Sequence, residues 1–150
     1  GSLIIVDTYN SSPGASLAAL KTLGEIKSKG RKIAVLGDML ELGKHTSEAH
    51  KNVGRIAKEN ADVLLVVGLR AKGIREGALE VGMPAENIFE FLDSREAGEF
   101  MKDFVKEEDL VLVKGSQGVR MERVVGAILQ DQENKTKLLV RQDVEWLKRE

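Results

Sequence analysis

The sequence predicts an α/β fold: a mostly parallel sheet of about five to six strands with helices on both faces. Short apolar segments alternate five times with amphipathic helical segments, which is typical of such a sheet. The apolar segments are also nearly continuous, and strands that are buried on both faces have that character. The predicted strands are residues 3–6, 32–36, 63–67, 87–91 and 110–113.

Each predicted strand is followed by a predicted helix whose apolar residues recur every three or four positions. Pro13 suits the first turn of the first helix, and Ser12 before it suits an N-cap. The fourth helix begins at an N-cap formed by Asp93 or Ser94. The predicted helices are residues 15–28, 47–59, 74–81, 94–105 and 121–129.

The chain of 150 residues divides into one domain and a terminal segment. Residues 1–2 read as the scar of a cleaved tag, and a strand follows at once, so we interpret the chain as a domain of a longer protein. Residues 3–131 form the domain. Residues 132–150 form a polar linker and a short terminal element with Trp146, which either packs on the domain or docks to a partner.

The composition excludes several classes of function. With a net charge of −1 and 4% aromatic residues, the chain lacks the electrostatic footprint of a nucleic-acid-binding protein. No apolar run is long enough to insert into a membrane. There is no cysteine and there are two histidines, so we predict no disulfide and no metal site. We expect a cytoplasmic monomer.

Polar segments follow four of the predicted strands, and the carboxyl ends of parallel strands meet at one edge of a sheet. The first segment brings an acid, a phenol and an amide together at Asp7, Tyr9 and Asn10. Ligands of open α/β sheets bind at this edge, so we expect the site there. The four segments are residues 7–13, 37–43, 68–70 and 114–122.

The last of these segments combines glycines, a cation and a hydroxyl before a helix. Lys114, Ser116 and the free N–H groups of the helix are suited to a carboxylate or a phosphate. Alternatively, Gly115 and Gly118 only shape a turn between strand and helix. Asp38 in the second segment has two interpretations as well: it caps the turn that follows, or it orients a ligand or a metal-bound water.

The sequence contains no complete catalytic set. It lacks a phosphate-binding loop of the Gly-x-x-x-x-Gly-Lys-Ser/Thr type, a Gly-x-Gly-x-x-Gly after the first strand and a Gly-x-Ser-x-Gly nucleophile elbow. The chain therefore offers one wall of an active site.

These segments, in this order, resemble the C-terminal domain of the Mur ligases, most closely the MurF type that adds D-alanyl-D-alanine to UDP-N-acetylmuramoyl-tripeptide. The family shows Asp-x-Tyr-Asn-Ala-Asn-Pro, then Gly-Asp-Met-x-Glu-Leu-Gly with a histidine seven residues on, then Lys-Gly-Ser-Arg and a Met-Glu pair. The resemblance covers about residues 3–131, with Ser12 and Gln117 as departures from the family pattern. The matching positions are Asp7, Tyr9, Asn10, Pro13, residues 37–43, His50, Lys114, Gly115, Ser116, Met121 and Glu122.

The resemblance implies a Rossmann-like domain that closes over an N-terminal and a central domain of one ATP-dependent amide ligase of peptidoglycan synthesis. ATP and Mg²⁺ would be bound mainly by the central domain, so the fragment alone would be inactive. The amine of D-Ala-D-Ala would attack an acyl-phosphate of UDP-MurNAc-tripeptide. By the same resemblance, the residues near ATP are Asp7, Tyr9 and Asn10. The residues at the acceptor are Asp38, His50, Lys114, Ser116 and Gln117.

Other classes of function stay open beside this one. Related ligases of the folylpolyglutamate-synthase type or other Mur types show a histidine in the first motif, which Tyr9 and Asn10 do not supply. A non-catalytic module that binds a small anion would have the same fold. A receiver-like regulator would need a phospho-accepting aspartate after the third strand, where residues 67–69 offer none.

Overall fold

A six-stranded, wholly parallel sheet lies at the centre of the computed structural model, in the order β4-β3-β2-β5-β1-β6. The structure describes residues 2–7, 12–39, 46–115, 120–131 and 137–140. The α/β, Rossmann-like fold expected from the sequence is confirmed. The strands are β1 (Leu3–Asp7), β2 (Lys32–Gly37), β3 (Val63–Val67), β4 (Ile88–Phe91), β5 (Leu110–Lys114) and β6 (Lys137–Val140).

Helices follow the first five strands, and local signals determine where two of them begin. The Ser12 hydroxyl accepts a hydrogen bond from the amide of Ala15 at 3.2 Å, and Pro13 occupies the first turn. Asp93 accepts one from the amide of Glu96 at 2.9 Å. Both predicted N-caps are therefore confirmed. The helices are α1 (Pro13–Glu25), α2 (Thr46–Asn60), α3 (Lys72–Glu80), α4 (Ser94–Phe104) and α5 (Glu122–Asp131), and a short 3₁₀ helix covers Ala85–Asn87.

The sixth strand lies in the segment that the sequence analysis assigned to the linker and terminal element. Residues 137–140 pair in parallel with β1, with Lys137 opposite Leu3 and Val140 opposite Val6. The sheet therefore extends past residue 131. A strand of only four residues after a polar segment leaves little periodicity to detect. Trp146 lies outside the described residues.

The sheet separates two apolar cores. Successive residues of a strand point to opposite faces of the sheet and so contribute to both cores. In β5, Leu110 and Leu112 belong to one core, and Val111 and Val113 belong to the other. Helices α1, α2 and α3 cover the first core, and α4 and α5 cover the second. Burial on both faces explains why the strands are continuously apolar.

This arrangement places a topological switch point at the carboxyl end of β5. The chain leaves β1, β2 and β3 toward helices on the first face, but it leaves β4 and β5 toward helices on the second. Because β5 lies between β2 and β1, outgoing segments diverge on both sides of it. Such a topological switch point is where open α/β sheets bind ligands.

Glycines let the backbones of α2 and α3 approach one another closely. A Cβ atom on Gly54 of α2 would overlap the carbonyl oxygen of Ile74. A Cβ atom on Gly77 of α3 would overlap the carbonyl oxygen of Lys51. Since backbone atoms cannot rotate away as a side chain can, only glycine fits at these two positions.

At the opposite, amino-terminal edge of the sheet, the buried carboxylate of Asp109 holds neighbouring backbone and side-chain groups together. The side chain of Asp109 is 3% exposed and receives the guanidinium of Arg31 at 2.7 Å. The same carboxylate accepts hydrogen bonds from the amides of Arg31 and Lys106 at 3.1 and 2.8 Å. The Arg31 guanidinium also stacks over the ring of Phe104 at 4.3 Å. This edge is thereby fixed by internal contacts.

We predict that Gly77→Ala destabilises the chain by about 2–3 kcal/mol or more, because α3 must move away from Lys51. Chemical denaturation measures the change in the free energy of unfolding. The control is Gly126→Ala in α5, where an added Cβ meets nothing within 4 Å. There we expect a gain of about 0.5–1 kcal/mol. Equal effects of the two substitutions would contradict the close helix contact.

Candidate functional site

Lys114 lies at the switch point, as the last residue of β5. Its register partners are Asp7 at the end of β1 and Leu36 in β2. The lysine is only 2% exposed. Lysine is almost never buried to this extent without polar or anionic groups around its ammonium. Lys114 is therefore a buried basic side chain at the switch point, with an interaction partner of its own.

Asp38 follows β2 and fastens the turn between β3 and α3. Its Oδ1 accepts a hydrogen bond from the amide of Ala71, the residue before α3, at 2.7 Å. The carboxylate also lies against Gly68, whose φ of +106° favours glycine and where a Cβ would come within 2.7 Å of Oδ1. Asp38 thus caps a turn, but the turn belongs to the next strand rather than to its own segment.

His50 in the first half of α2 is fully buried, and backbone groups engage both of its ring nitrogens. Nδ1 lies 2.7 Å from the carbonyl oxygen of Thr46, and Nε2 lies 3.2 Å from the amide nitrogen of Met39. Met39 is the next residue after Asp38. By accepting the hydrogen bond from the Met39 amide, His50 helps to hold the segment that contains Asp38. Gly73 of α3 makes room for it, since a Cβ there would come within 2.9 Å of the His50 Cβ.

The start of α5 is already occupied by a carboxylate. Glu122, the first residue of α5, has a pKa below its ordinary value because its carboxylate accepts a hydrogen bond from its own backbone N–H. The side chain of Arg120, 3.2 Å away, lowers the pKa further. An anion at this helix end would have to compete with Glu122. The described start of α5 is therefore less suited to an external anion than its position at a helix N-terminus indicates.

Gly115 shapes the backbone after β5. A Cβ atom there would lie 2.7 Å from the Cγ of Met121 and 3.1 Å from the Cα of Gly37. The absence of a side chain lets the end of β5 pack against the end of β2. This contact supports the turn-shaping interpretation for Gly115, and Gly118 lies outside the described residues.

The first turn of α1, which follows Asp7 and the rest of the first motif, contains no acidic residue. The positive end of its dipole is therefore not neutralised by its own side chains, which suits a phosphate group. That the first motif lies near ATP stays a prediction. The side chain of Asp7 is not among those described, and Tyr9, Asn10, Ser116 and Gln117 lie outside the described residues.

The turn between β3 and α3, to which the sequence alone assigned no role, borders the candidate site through its contacts with Asp38. The turn at residues 68–71 is held by Asp38 and by a hydrogen bond of 2.9 Å from the amide of Gly68 to the carbonyl of Phe91. Leu69 in this turn is 67% exposed although its neighbours are anchored. In the sequence, the Gly-Leu-Arg segment after the third strand indicated a turn at this position. Its attachment to Asp38 could not be predicted, because it depends on tertiary contacts.

Within the described ranges, no cluster of three or more His, Asp or Glu side chains is suited to hold a metal ion. No helix among the described residues combines the length and the apolar character that a membrane span requires.

Comparison with known proteins identifies the class. Residues 1–117 match the family model described as Mur ligase, glutamate ligase domain. The chain belongs to this family. The resemblance drawn from the three sequence motifs is thereby confirmed.

Curated relatives of this chain include ligases that carry one name. The UDP-N-acetylmuramoyl-tripeptide–D-alanyl-D-alanine ligase of Bacillus subtilis (strain 168) is 31% identical over 131 residues, covering 87% of this chain and 28% of the relative. The ligase of the same name from Escherichia coli (strain K12) is 35% identical over 138 residues, covering 89% and 28%. The chain therefore spans about 28% of the length of these relatives.

Solved structures of MurF ligases share the fold. The MurF ligase of Thermotoga maritima in complex with ADP has a TM-score of 0.65 and 28% identity, covering 83% of this chain and 27% of that one. MurF of Acinetobacter baumannii has a TM-score of 0.69 and 28% identity, covering 82% and 27%.

We predict that Glu122→Gln lowers the thermal stability at neutral pH and that this difference disappears in acid. Folding lowers the pKa of the Glu122 carboxyl, so its charged form stabilises the folded state above the ordinary value of 4.5. The stabilisation is lost as the pH falls through the lowered pKa. Thermal unfolding of both proteins across this range measures it, with Glu59→Gln on exposed α2 surface as the control for removing one charge. A difference that persists in strong acid would contradict the assignment.

Proposed function

We propose that this chain is the acceptor-binding domain of an ATP-dependent ligase that adds D-Ala-D-Ala to UDP-MurNAc-tripeptide, in the cytoplasm. The observation that carries the proposal is the buried cation Lys114 at the switch point, in a chain whose curated relatives carry the name of that ligase. A dipeptide acceptor has a free carboxylate, and a desolvated ammonium is suited to bind it.

The acceptor would lie across the ends of β5 and β2. Lys114 would bind the dipeptide carboxylate, with Ser116 and Gln117 beside it. Asp38 would form the neighbouring wall together with the turn it fastens at residues 68–71. His50 would belong to this wall through its contact with the amide of Met39.

ATP would lie toward β1. Asp7, Tyr9 and Asn10 would face the ribose and phosphates, and the positive end of α1 would add a favourable dipole. Mg²⁺ and most contacts to ATP would come from the other domains of the ligase. ATP near β1 and the acceptor near β5 would be separated because the chain leaves β1 toward one face of the sheet and β5 toward the other.

The chemistry that this arrangement serves is amide formation. The dipeptide amine attacks the carbonyl carbon of an acyl-phosphate formed from ATP and the tripeptide carboxylate. A C–N bond forms, the C–O bond to phosphate breaks, and the amine loses a proton. The contribution of this domain is to hold the acceptor so that its amine faces that carbon, since positioning supplies a large part of such accelerations.

The test is Lys114→Met in the full-length ligase that carries this chain. We expect the KM for D-Ala-D-Ala to rise about tenfold to a hundredfold, since hydrogen bonds to charged groups contribute about 1.5–3 kcal/mol. The KM for ATP should change little. Steady-state release of phosphate with varied dipeptide measures both constants.

The control is Lys58→Met, which removes an exposed lysine near the end of α2. It should leave both constants unchanged. The melting temperature of each variant is compared so that unfolding of Lys114→Met is recognised. A folded Lys114→Met enzyme with the dipeptide KM of the wild type would contradict the proposal.

A further inference from the structure

We infer that His50 is a positioning residue rather than an acceptor contact, and that it works as a neutral imidazole joining two backbone groups. The inference rests on the proposed function and assigns His50 a role within it. His50 would place the Asp38–Met39 segment, and through Asp38 the turn at residues 68–71, so that the acceptor wall has one conformation.

The protonation of the ring follows from the nature of its partners. The carbonyl oxygen of Thr46 can only accept a hydrogen bond, so Nδ1, 2.7 Å away, carries a proton. The amide of Met39 can only donate one, so Nε2, 3.2 Å away, carries a lone pair. His50 is therefore the neutral Nδ1–H tautomer, and both nitrogens are occupied by backbone.

The position of His50 explains how a buried ring affects the site surface. Met39 is 3% exposed, and its amide would be a buried donor without a partner if the ring were absent. Asp38 immediately precedes it and holds the amide of Ala71 at 2.7 Å. A single series of contacts thus runs from the start of α2 through the end of β2 to the start of α3.

Two substitutions distinguish the contribution of Nε2, which contacts Met39, from that of Nδ1, which contacts Thr46. Glutamine places an oxygen three bonds from Cβ, as Nε2 is, and can accept from Met39. Asparagine reaches only two bonds, as Nδ1 does, and can replace only the bond to Thr46. His50→Gln should therefore preserve the support of Met39, and His50→Asn should remove it. A residue that acts by packing alone would respond to both substitutions alike.

The first measurement uses NMR on the 150-residue chain without ligand. A long-range ¹H–¹⁵N spectrum of the ring should give the Nδ1–H tautomer. Hydrogen exchange of the Met39 amide should accelerate about tenfold or more in His50→Asn and stay near the wild-type rate in His50→Gln. An Nε2–H tautomer, or equal acceleration in both variants, would overturn the inference.

The second measurement uses the full-length ligase. His50→Asn should raise the KM for D-Ala-D-Ala about tenfold with kcat and the KM for ATP nearly unchanged, and His50→Gln should restore it. If exchange at Met39 accelerates but the dipeptide KM stays constant, the positioning role is overturned while the proposed function stands. A wild-type ligase that does not use D-Ala-D-Ala would overturn the proposed function and this role together, whereas the NMR result on the tautomer would remain.

Discussion

The close backbone contact between α2 and α3 is the constraint on which the candidate site depends. Gly54 and Gly77 allow the two helices to touch through their main chains, and Gly73 leaves room for His50. Because His50 is carried by α2 and Ala71 precedes α3, the separation of the two helices determines where both residues lie. A wider spacing would pull the amide of Ala71 away from Asp38 or His50 away from Met39.

At the two edges of the sheet, carboxylates accept hydrogen bonds from backbone amides. Asp109 at the amino edge accepts backbone amides and a guanidinium, and it is almost fully buried. Asp38 at the carboxyl edge accepts the amide of Ala71 and remains partly exposed. The carboxylate at the amino edge is thus satisfied by internal partners, although a groove lies beside it, whereas Asp38 at the carboxyl edge keeps exposed polar surface near a buried lysine. This asymmetry agrees with ligand binding at the carboxyl ends of parallel strands.

Much of the fold could be predicted because its signals are local. Continuous apolar strands, helical periodicity and the caps at Ser12 and Asp93 each depend on residues close in sequence. A sixth strand was within the predicted range of five to six, but its position at residues 137–140 was not predicted, since four residues after a polar linker carry too little pattern.

The candidate site could be predicted in composition but only partly in geometry. The order of the motifs predicted that Asp38, His50 and Lys114 meet at one edge of the sheet. In the structure, Asp38 follows β2 and Lys114 ends β5. His50 is buried in α2 and contacts the amide of Met39, the residue after Asp38. Their partners were not predictable: Asp38 bonds to Ala71, which lies 33 positions away, and His50 bonds to the amide of Met39. Such contacts depend on the packing of α2 against α3 and leave no periodic trace in the sequence.

We propose that the carboxyl edge around Lys114 and Asp38 binds the acceptor dipeptide. The most direct test of this proposal is an NMR titration of the chain with D-Ala-D-Ala, and in parallel with L-Ala-L-Ala. We expect shift changes with the D,D dipeptide only, at the amides of residues 37–39, 68–71 and 114–115. Equal changes with both dipeptides would contradict it. Changes confined to the groove of about 180 Å³ at the amino edge, lined by Lys27, Lys29 and Glu108 among others, would contradict it as well.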